Sequence, residues 1–346
     1  MKHKSATLDD VALQAGVSYQ TVSRVLNHAP HVSPKTRNKV ELAMAELNYV
    51  PNRVAQQLAG KHSLTLGLAT TDLSLHAPSQ IAAAIKRKAR ELGYNVVIAM
   101  VDNHSEHACQ QAINELLAQR VDGILVNVPL KSKRSQKIAQ QCVDTPVLFL
   151  DVDPQSTAFS VLFDPKEGAI QGAEHLIALG HQQIVFICGP REAISAQLRY
   201  QGWLQTLNKA SLAPQAVYHG EWNARSGYQA TTKLITSATP FSAILVANDQ
   251  MALGVLRALH EHNIEVPAQV SVIGYDDTAD SAYFQPPLTT IRQNFRLLGE
   301  ESVSRLIVRL HHTMTIEPPS ESLLLATKLT IRQTTATFNP KVHKSE

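Results

Sequence analysis

The feature that most constrains the fold is an alternation of two kinds of segment, which begins at Leu64. Amphipathic segments such as PSQIAAAIKRKARELG and EGAIQGAEHLIALG are typical of helices, and they separate most of the short apolar runs that are typical of buried strands. Those runs read LTLGLA, YNVVIAMV, GILVNV, PVLFLDV, FSVLF, QIVFICG, SAILVAND and VSVIGYDD. Such alternation predicts parallel sheets with helices on both faces. Because the run is too long for one ordinary sheet, we predict an α/β unit of two similar subdomains that face each other across a cleft.

Polar residues with functional chemistry follow several of these runs. Asn127, Asp151, Asn248 and Asp276 stand where strands are predicted to end, and ligands of open α/β sheets bind beyond the carboxyl ends of the strands. Asp, Asn and Arg supply the paired donors and acceptors that sugar hydroxyl groups need, so the cleft chemistry points to a sugar. Each of these residues taken alone could instead cap a helix, and the sequence leaves that alternative open.

Composition and motifs exclude several classes of protein. The cysteines, Cys109, Cys142 and Cys188, include no CxxC pair, so neither a disulfide framework nor a zinc site is indicated and a reducing compartment fits. No apolar run follows the N-terminus as in a secretory signal, and no window is apolar enough for a membrane span. The motifs GxSxG, GxGxxG, GxxxxGKS/T and HExxH are absent. We therefore expect a cytoplasmic protein that is not an enzyme.

The N-terminal stretch carries the signals of three short helices. Thr7 can cap the first helix, with Asp10 in a capping-box position. Gly16 begins a tight turn, Ser18 can cap the second helix, and Pro34 stands at the first position of the third. Three short helices with a Gly turn between the first two predict a helix-turn-helix domain.

Charge is unevenly placed along the chain. Residues 1–62 hold eight Lys and Arg against four Asp and Glu, a net charge of +4, whereas the rest of the chain has a net charge of −1. A polyanion partner for the small unit is therefore plausible. By charge alone, a solubilising surface explains the excess equally well.

The predicted second helix lies in the stretch VSYQTVSRVLN. Its apolar residues fall at i, i+3 and i+4, and its other face consists of hydrogen-bonding side chains without the Glu and Lys of an ordinary exposed face. The second helix of such a motif enters the major groove of DNA. There Gln20 can pair with adenine and Arg24 with guanine, while Tyr19 can contact a thymine methyl, a base or a phosphate. The side chains that could hold phosphates and fix the register are Ser18, Thr21, Ser23, Asn27 and His31.

The stretch TLDDVALQAGVSYQTVSRVLN resembles the first two helices of the LacI/GalR family of bacterial transcription regulators. The resemblance extends through KVELAMAELNYVPNRVAQQLAGK, LHAPSQI, VANDQMALG, GYDDT and PPLTTIRQNFRLLG, and covers roughly residues 6 to 310. It implies a periplasmic-binding-protein-like architecture for the large unit and adds Leu8 to the DNA-binding surface. The expected divisions are a helix-turn-helix domain in residues 1–50, a hinge in 51–62, a ligand-binding and dimerisation domain in 63–335 and a tail in 336–346.

The stretch PNRVAQQLAGK would form barely two helical turns, which is marginal alone in water. By resemblance it is a hinge helix that orders when it is bound to operator DNA and packed against its twin. Leu58 would then be pushed into the minor groove as a wedge that bends the DNA. The residues that would line that contact are Asn52, Ala55, Gln56 and Gln57. From the residues alone, a flexible linker is an equal alternative.

The resemblance also implies a ligand site, residue by residue. Asp151, Arg199, Asn248 and Asp276 would hydrogen-bond a pyranose. The residues that would pack around it are Trp222, Phe163, Phe295, Leu75, Ala77, Pro78 and Ile81, and those that would support the site are Asn127, Ser195 and Gln293. By the same resemblance Lys86 would lie in the dimer interface, and His76 and Asp280 would form a pair that spans the subunits.

One position departs from the family pattern. Asn103 stands where an Arg of the cleft network is expected, which puts the affinity or the selectivity for the sugar in doubt. His104 and His107 nearby are spaced i, i+3, but no carboxylate or Cys accompanies them at metal-ligand spacing. We therefore expect no metal and no cofactor, only a small-molecule inducer.

The resemblance implies a repressor of a lactose-type operon, which reads a pseudo-palindromic operator as a dimer and is released by a galactoside such as allolactose. The alternatives are a repressor of the same family that answers another ligand, such as a purine, and, more remotely, a sugar-binding transport receptor. By the same resemblance, a C-terminal helix with leucine heptads would join two dimers into a tetramer. The stretch ATFNPKVHKSE has no two heptads of Leu, and Pro340 would interrupt a helix, so we expect a dimer.

Overall fold

The structure is a computed structural model, and it describes residues 6–26, 31–50, 63–102, 106–311 and 322–341. The chain divides into two compact units, Met1–Ser63 and Leu64–Glu346. Several predictions concern positions outside the described residues: those on Asn27, Asn103 and His104, and those on the hinge with Asn52, Ala55, Gln56, Gln57 and Leu58.

The small unit contains three helices, α1 (Leu8–Ala15), α2 (Tyr19–Leu26) and α3 (Pro34–Glu46). The capping box at Thr7 is present with both of its hydrogen bonds, and Gly16 ends α1 at φ +64°, a left-handed conformation that glycine adopts without strain. The unit closes on a small core that takes buried residues from every helix: Val11, Ala12, Ala15, Val22, Val25, Val40 and Ala43. The predicted helix-turn-helix domain is therefore confirmed.

The large unit contains two six-stranded sheets, each the centre of one lobe. The first lobe has the strand order β11-β5-β4-β3-β1-β2, and the second has the order β12-β10-β9-β8-β6-β7. The strands are β1 Thr65–Thr70, β2 Asn95–Met100, β3 Gly123–Asn127, β4 Val147–Phe149, β5 Ser160–Phe163, β6 Ile184–Cys188, β7 Val217–His219, β8 Ala243–Val246, β9 Ser271–Asp276, β10 Thr289–Arg292, β11 Ser322–Leu325 and β12 Lys328–Thr330.

Helices cover both faces of both sheets, as the alternation predicts. The helices of the large unit are α4 His76–Glu91, α5 Glu106–Ala118, α6 Ser132–Gln141, α7 Pro165–Ala178, α8 Ile194–Lys209, α9 Ala224–Thr236, α10 Asp249–Glu261 and α11 Phe295–Leu310, with a short 3₁₀ helix at Ala279–Tyr283. Each sheet therefore has one apolar core on either face. None of the described helices is long and apolar enough to cross a membrane.

One detail differs from the sequence-based prediction, and a second was not predicted. The sheets are not wholly parallel, because β12 pairs antiparallel with β10 through Ile291 and Leu329. The lobes are also not consecutive in sequence. Along the described residues the chain passes between the lobes three times, after β5, after β10 and after β11. As a result α11 packs on α4 and on strands of the first sheet, although it follows a strand of the second.

Candidate functional site

The exposed face of α2 presents the groups that were predicted to read DNA. Val22 and Val25 are buried in the core of the small unit, which turns Tyr19, Gln20 and Arg24 outward. Tyr19 is 51% exposed, so its ring is available to a partner. This placement agrees with a DNA-reading helix, and the base contacts themselves stay predictions.

The structure also locates the other described residues that were predicted to contact DNA. The Ser18 hydroxyl caps α2 by accepting from the Thr21 amide at 3.2 Å, and it pairs with the Thr21 hydroxyl at 2.9 Å. Ser23 is half-buried and His31 is exposed. Leu8 is half-buried against the core, in line with its place on the inner stripe of α1. Phosphate contacts by these residues also stay predictions.

A cavity of about 460 Å³ opens between the lobes, at the carboxyl ends of their strands. Every residue that was assigned to the ligand site lines this one cavity: Leu75, Ala77, Pro78, Ile81, Asn127, Asp151, Phe163, Ser195, Arg199, Trp222, Asn248, Asp276, Gln293 and Phe295. The topology brings them together because the two sheets point their carboxyl ends at each other. Their contact with a ligand stays a prediction.

Arg199 and Asp276 form the polar centre of this cavity. The Arg199 Nη2 atom lies 3.5 Å from the Asp276 Oδ1 atom, and the two side chains are only 7% and 5% exposed. Nη2 also donates to the Gln293 Oε1 atom at 3.1 Å, and Nη1 donates to the Ala247 carbonyl. Asp276 Oδ1 and Arg199 Nε are buried and have no hydrogen-bond partner. Unmade hydrogen bonds of buried charged groups are costly, so this centre of the cavity gains from polar partners.

Aromatic rings hold the guanidinium group of Arg199 in place. The group lies 3.7 Å from the centre of the Tyr275 ring and 5.4 Å from the centre of the Trp222 ring. Trp222 adopts φ +64°, and its indole occupies the space that a Cβ on Gly189 would need. A glycine at that position therefore lets the indole pack closely against the backbone at the cavity wall.

The backbone at Asp276 is held in an uncommon conformation. Asp276 has φ +117° and Asp277 has φ +57°, values that non-glycine residues adopt rarely and at an energetic cost. Two contacts fix the turn. Asp277 Oδ1 pairs with Arg332 at 2.6 Å, and Asp249 Oδ2 accepts from the Thr278 amide at 3.0 Å. The turn is thereby constrained to aim the Asp276 carboxylate into the cavity.

Desolvation disfavours the charged form of two carboxyl groups of the cavity. It raises the pKa of Asp276 to about 7 and the pKa of Asp151 to about 6, while the positive charge of Arg199 lowers both. Asp249, behind the cavity wall, has its pKa raised to about 6 by the same cause, against hydrogen bonds from Ser281 and Thr290. Protonation of Asp276 and Asp151 therefore reduces, without removing, the negative charge at the centre of the cavity.

Asn248 shows that the helix-cap alternative was partly right. Its Oδ1 atom accepts from the Met251 amide at 2.9 Å and so caps α10, and its Nδ2 atom donates to the Trp222 carbonyl at 2.9 Å. Asn127 donates to the Thr70 hydroxyl at 3.3 Å. Asn248 therefore has a structural role, and a ligand would use the hydrogen-bonding capacity that these contacts leave over.

The apolar side of the cavity is built around Phe295. Its ring meets the Phe163 ring edge-on at 5.9 Å and the His76 ring at 6.0 Å. Leu75 and Ala77 lie beside it at the start of α4. This surface can pack against the apolar face of a sugar ring or an apolar substituent on it.

The residues predicted for the subunit interface can be located within one chain. Burial lowers the pKa of His76 and the charge of Asp280 raises it, so the two already interact within a single chain. The His76 amide also donates to the Gln250 side chain at 3.0 Å, which joins the lobes. Lys86 is exposed and donates to the Val96 carbonyl at 3.3 Å. Contacts of these residues with a second subunit stay predictions.

Sequence reasoning missed several polar residues of the cavity, namely Asp72, Asp102, Glu221 and Gln250. Asp72 and Asp102 follow β1 and β2, so the strand-end rule that found Asn127 would also have found them. Glu221 and Gln250 had no comparable signal. The described residues contain no cluster of His, Cys, Asp and Glu that could hold a metal ion.

Comparisons with known proteins match both units. Residues 7–52 match the model of bacterial regulatory proteins of the lacI family, and residues 173–335 match a periplasmic binding protein-like domain. The chain is 54% identical to the lactose operon repressor of Escherichia coli strain K12 over 304 residues, which is 88% of this chain and 84% of that protein. It is 44% identical to the lactose operon repressor of Klebsiella pneumoniae, over 96% of this chain and 93% of that one.

A solved structure also resembles the whole chain. The crystal structure of the lac repressor dimer bound to operator and the anti-inducer ONPF superposes with a TM-score of 0.88 at 51% identity. The match covers 96% of this chain and 100% of that one.

Proposed function

The chain belongs to the lacI family of bacterial regulatory proteins, and from this membership we propose that it represses a lactose-type operon. It binds operator DNA as a dimer, and a galactoside that enters the cleft between the lobes releases it. The function needs no cofactor and no catalytic step. We place the protein in the cytoplasm, where its DNA target is.

The observation that carries the proposal is the Arg199–Asp276 pair, held beneath Trp222 at the centre of the cleft. A guanidinium and a carboxylate side by side offer a hydroxyl group both a donor and an acceptor. The indole offers an apolar surface to the carbon face of a ring. A sugar ring uses both of these features together, since it carries hydroxyl groups around an apolar carbon face.

The DNA-binding part of the proposed function depends on α2. In a helix-turn-helix protein the second helix lies in the major groove, and a dimer reads two half-sites separated by whole helical turns. Gln20 and Arg24 read the bases in this assignment, and Tyr19 contacts a thymine methyl or the backbone. The hydroxyl groups of Ser18 and Thr21 contact phosphates and fix the register.

Coupling between the two sites follows from the two-lobed shape of the large unit. A galactoside in the cleft contacts both lobes, so its binding changes the angle between them. In the dimer the first lobes then shift, the hinge helices lose their packing and operator affinity falls. The hydrogen bond between the His76 amide and Gln250 crosses the cleft, so it is one contact that such a change would alter.

The test is operator binding by the full chain, by Arg199→Ala and by the control Arg257→Ala, each with and without isopropyl-thiogalactoside. Arg257 lies on α10 and its side chain is 65% exposed, so its loss removes a positive charge away from the cleft. Wild type and the control should release operator when the galactoside is added. Arg199→Ala should bind operator normally and not release it, because the hydroxyl groups of the sugar lose a charged partner worth about 1.5–3 kcal/mol. Release of operator by the variant at the wild-type concentration would contradict the assignment.

A further inference from the structure

The ligand cleft carries an excess of acidic groups. The described residues that line it include five carboxyl groups and the one guanidinium of Arg199. Those carboxyl groups belong to Asp72, Asp102, Asp151, Glu221 and Asp276. Even with Asp151 and Asp276 partly protonated near neutral pH, this composition disfavours a negatively charged group on the ligand.

A second cavity of about 210 Å³ adjoins the cleft and has the opposite character. We call it the annex. It shares Pro129, Ala193 and Ile194 with the cleft, so the two cavities have a common wall. Among the described residues that line it, the charged ones are Lys131, Arg134 and Glu192, two basic groups against one acidic group. The volume is far above the ~10–15 Å³ that one water needs, so the annex can hold a small polyatomic anion.

Two helices begin in the wall of the annex. Lys131 is the N-cap residue of α6, and Ala193 is the N-cap residue of α8. Neither residue has a side-chain capping hydrogen bond, and both line the annex. The N-terminus of a helix carries a partial positive charge and directs amide groups outward, so these two ends add to the positive charge of the side chains.

The two cationic side chains are held differently. Arg134 is only 9% exposed, and its Nη2 atom donates to the Gln110 side chain at 3.4 Å. Its charge also lowers the pKa of the neighbouring Cys109, against the larger effect of burial, which raises that pKa. Lys131 is exposed at the mouth. A buried guanidinium and an exposed ammonium in one cavity suit an anion that enters from outside.

We propose that the annex binds a phosphate group. The phosphate is carried by a phosphorylated sugar whose ring lies in the cleft, or it is inorganic phosphate bound beside the sugar. The first source rests on the proposed function, since it needs a sugar in the cleft, and the second does not. In both cases Lys131 and Arg134 contact the phosphate oxygens. Gln197 lies in the same wall, and its Nε2 atom already donates to the Arg191 carbonyl at 2.6 Å.

The test is calorimetric titration of the full chain at constant ionic strength with inorganic phosphate. The variants are Lys131→Gln and Arg134→Gln, and the matched control is Lys133→Gln. Lys133 lies two residues further along, is exposed and does not line the annex, so it removes the same charge from the same end of α6. Wild type and the control should bind phosphate equally. Each annex variant should bind it about ten-fold more weakly, because one charge-assisted hydrogen bond is removed.

Two further titrations distinguish the sources of the phosphate. If the sugar carries it, galactose 6-phosphate should bind wild type more tightly than galactose does, and Lys131→Gln should lose that difference. If the phosphate is free, its affinity should be the same with and without saturating isopropyl-thiogalactoside. The proposal is overturned if wild type binds neither inorganic phosphate nor galactose 6-phosphate more tightly than the annex variants do.

The experiments give a different set of results if the proposed function is wrong and the phosphate site is right. A wild-type protein that does not bind isopropyl-thiogalactoside at all would refute the galactoside assignment, while the phosphate titration would still decide the annex. Conversely, Lys131→Gln should keep its wild-type affinity for isopropyl-thiogalactoside, because that ligand has no charged group. An equal loss of both ligands in Lys131→Gln would mean that the variant disturbs the fold, and the comparison of Arg134→Gln with the control Lys133→Gln then decides.

Discussion

At the scale of single residues, Asp276 combines a strained backbone, a buried carboxyl group and a charged neighbour. Its pKa is about 7 in the folded protein and about 3.8 in an unfolded chain. Between these pH values the unfolded chain has released a proton that the folded protein keeps. The contribution of Asp276 to stability is therefore fully present below the unfolded pKa, falls as the pH rises towards 7, and is lost above that.

Asp276→Asn should remove this dependence. Relative to wild type, the free energy of unfolding of the variant should increase as the pH rises from about 4 to about 7, by at most about 1.4 kcal/mol per pH unit, and then level off. Urea unfolding followed by tryptophan fluorescence at pH 5 and pH 8 measures it, with the exposed Asp144→Asn as the control. A difference from wild type that stays constant or shrinks between the two pH values would show that Asp276 is ionised throughout.

The sequence predicts the chemistry of the cleft well and its geometry poorly. Asn127, Asp151, Asn248 and Asp276 are accessible to prediction because the ends of parallel strands converge by topology. The left-handed turn at Asp276 is not, since nothing in the letters DD indicates positive φ values. The annex could not be predicted either, because Lys131 and Arg134 belong to one lobe and Glu192 to the other, and only the packing of the two lobes brings them together.

At the scale of elements, α2 is where operator specificity is expected to lie. Gln20→Ala and Arg24→Ala should relax the preference for individual bases, because each removes a bidentate pair with a base that is worth about 1–3 kcal/mol. Binding to a panel of operators with single base changes measures this. Lys39→Ala on α3, also exposed, is the control and should keep the preference profile. If Gln20→Ala and Arg24→Ala keep it as well, another element reads the bases.

The contact between α9 and α10 depends on two glycines. A Cβ on Gly254 would collide with the Ala224 carbonyl, and one on Gly227 would collide with the Met251 carbonyl. Alanine normally favours a helix over glycine by about 1 kcal/mol. At Gly254 the sign should reverse, because the obstacle is backbone that cannot rotate away.

We therefore predict that Gly254→Ala lowers the free energy of unfolding by about 1–3 kcal/mol. Leu253→Ala, at a neighbouring position that is 46% exposed, should change it much less. Denaturant titration of the two variants compares them directly. Equal or greater stability of Gly254→Ala would mean that the helices separate at little cost.

Strands with a run of apolar residues could be predicted from the sequence, whereas several other strands could not. All eight strands that the apolar runs predict are present, but β7, β10, β11 and β12 were not predicted. β7 and β12 have three residues each and lie at sheet edges, where little apolar surface is buried and no run of apolar residues is needed. The first three residues of β10 are buried, but only one of its four residues, Ile291, is apolar, and the buried Thr290 donates a hydrogen bond to Asp249.

At the scale of the whole molecule, the proposed coupling between cleft and operator must be reciprocal. If a galactoside weakens operator binding by some factor, operator must weaken galactoside binding by the same factor. Couplings of this kind are typically about 1–3 kcal/mol, or roughly 5- to 150-fold. Galactoside titration with and without saturating operator gives one factor, and operator titration with and without galactoside gives the other. Unequal factors would show that a further species, such as a dissociated subunit, takes part.

The three passages of the chain between the lobes affect how the protein can be made. The core of the first lobe includes Leu298, Val303 and Leu306 of α11, although the first five strands of that lobe end at Phe163. A ribosome adding about 5–20 residues per second needs on the order of 10–30 s to go from β5 to the end of α11. During that time the face of the first sheet that α11 later covers stays open to water. The nascent chain therefore offers an apolar surface to chaperones for most of the synthesis of the second lobe.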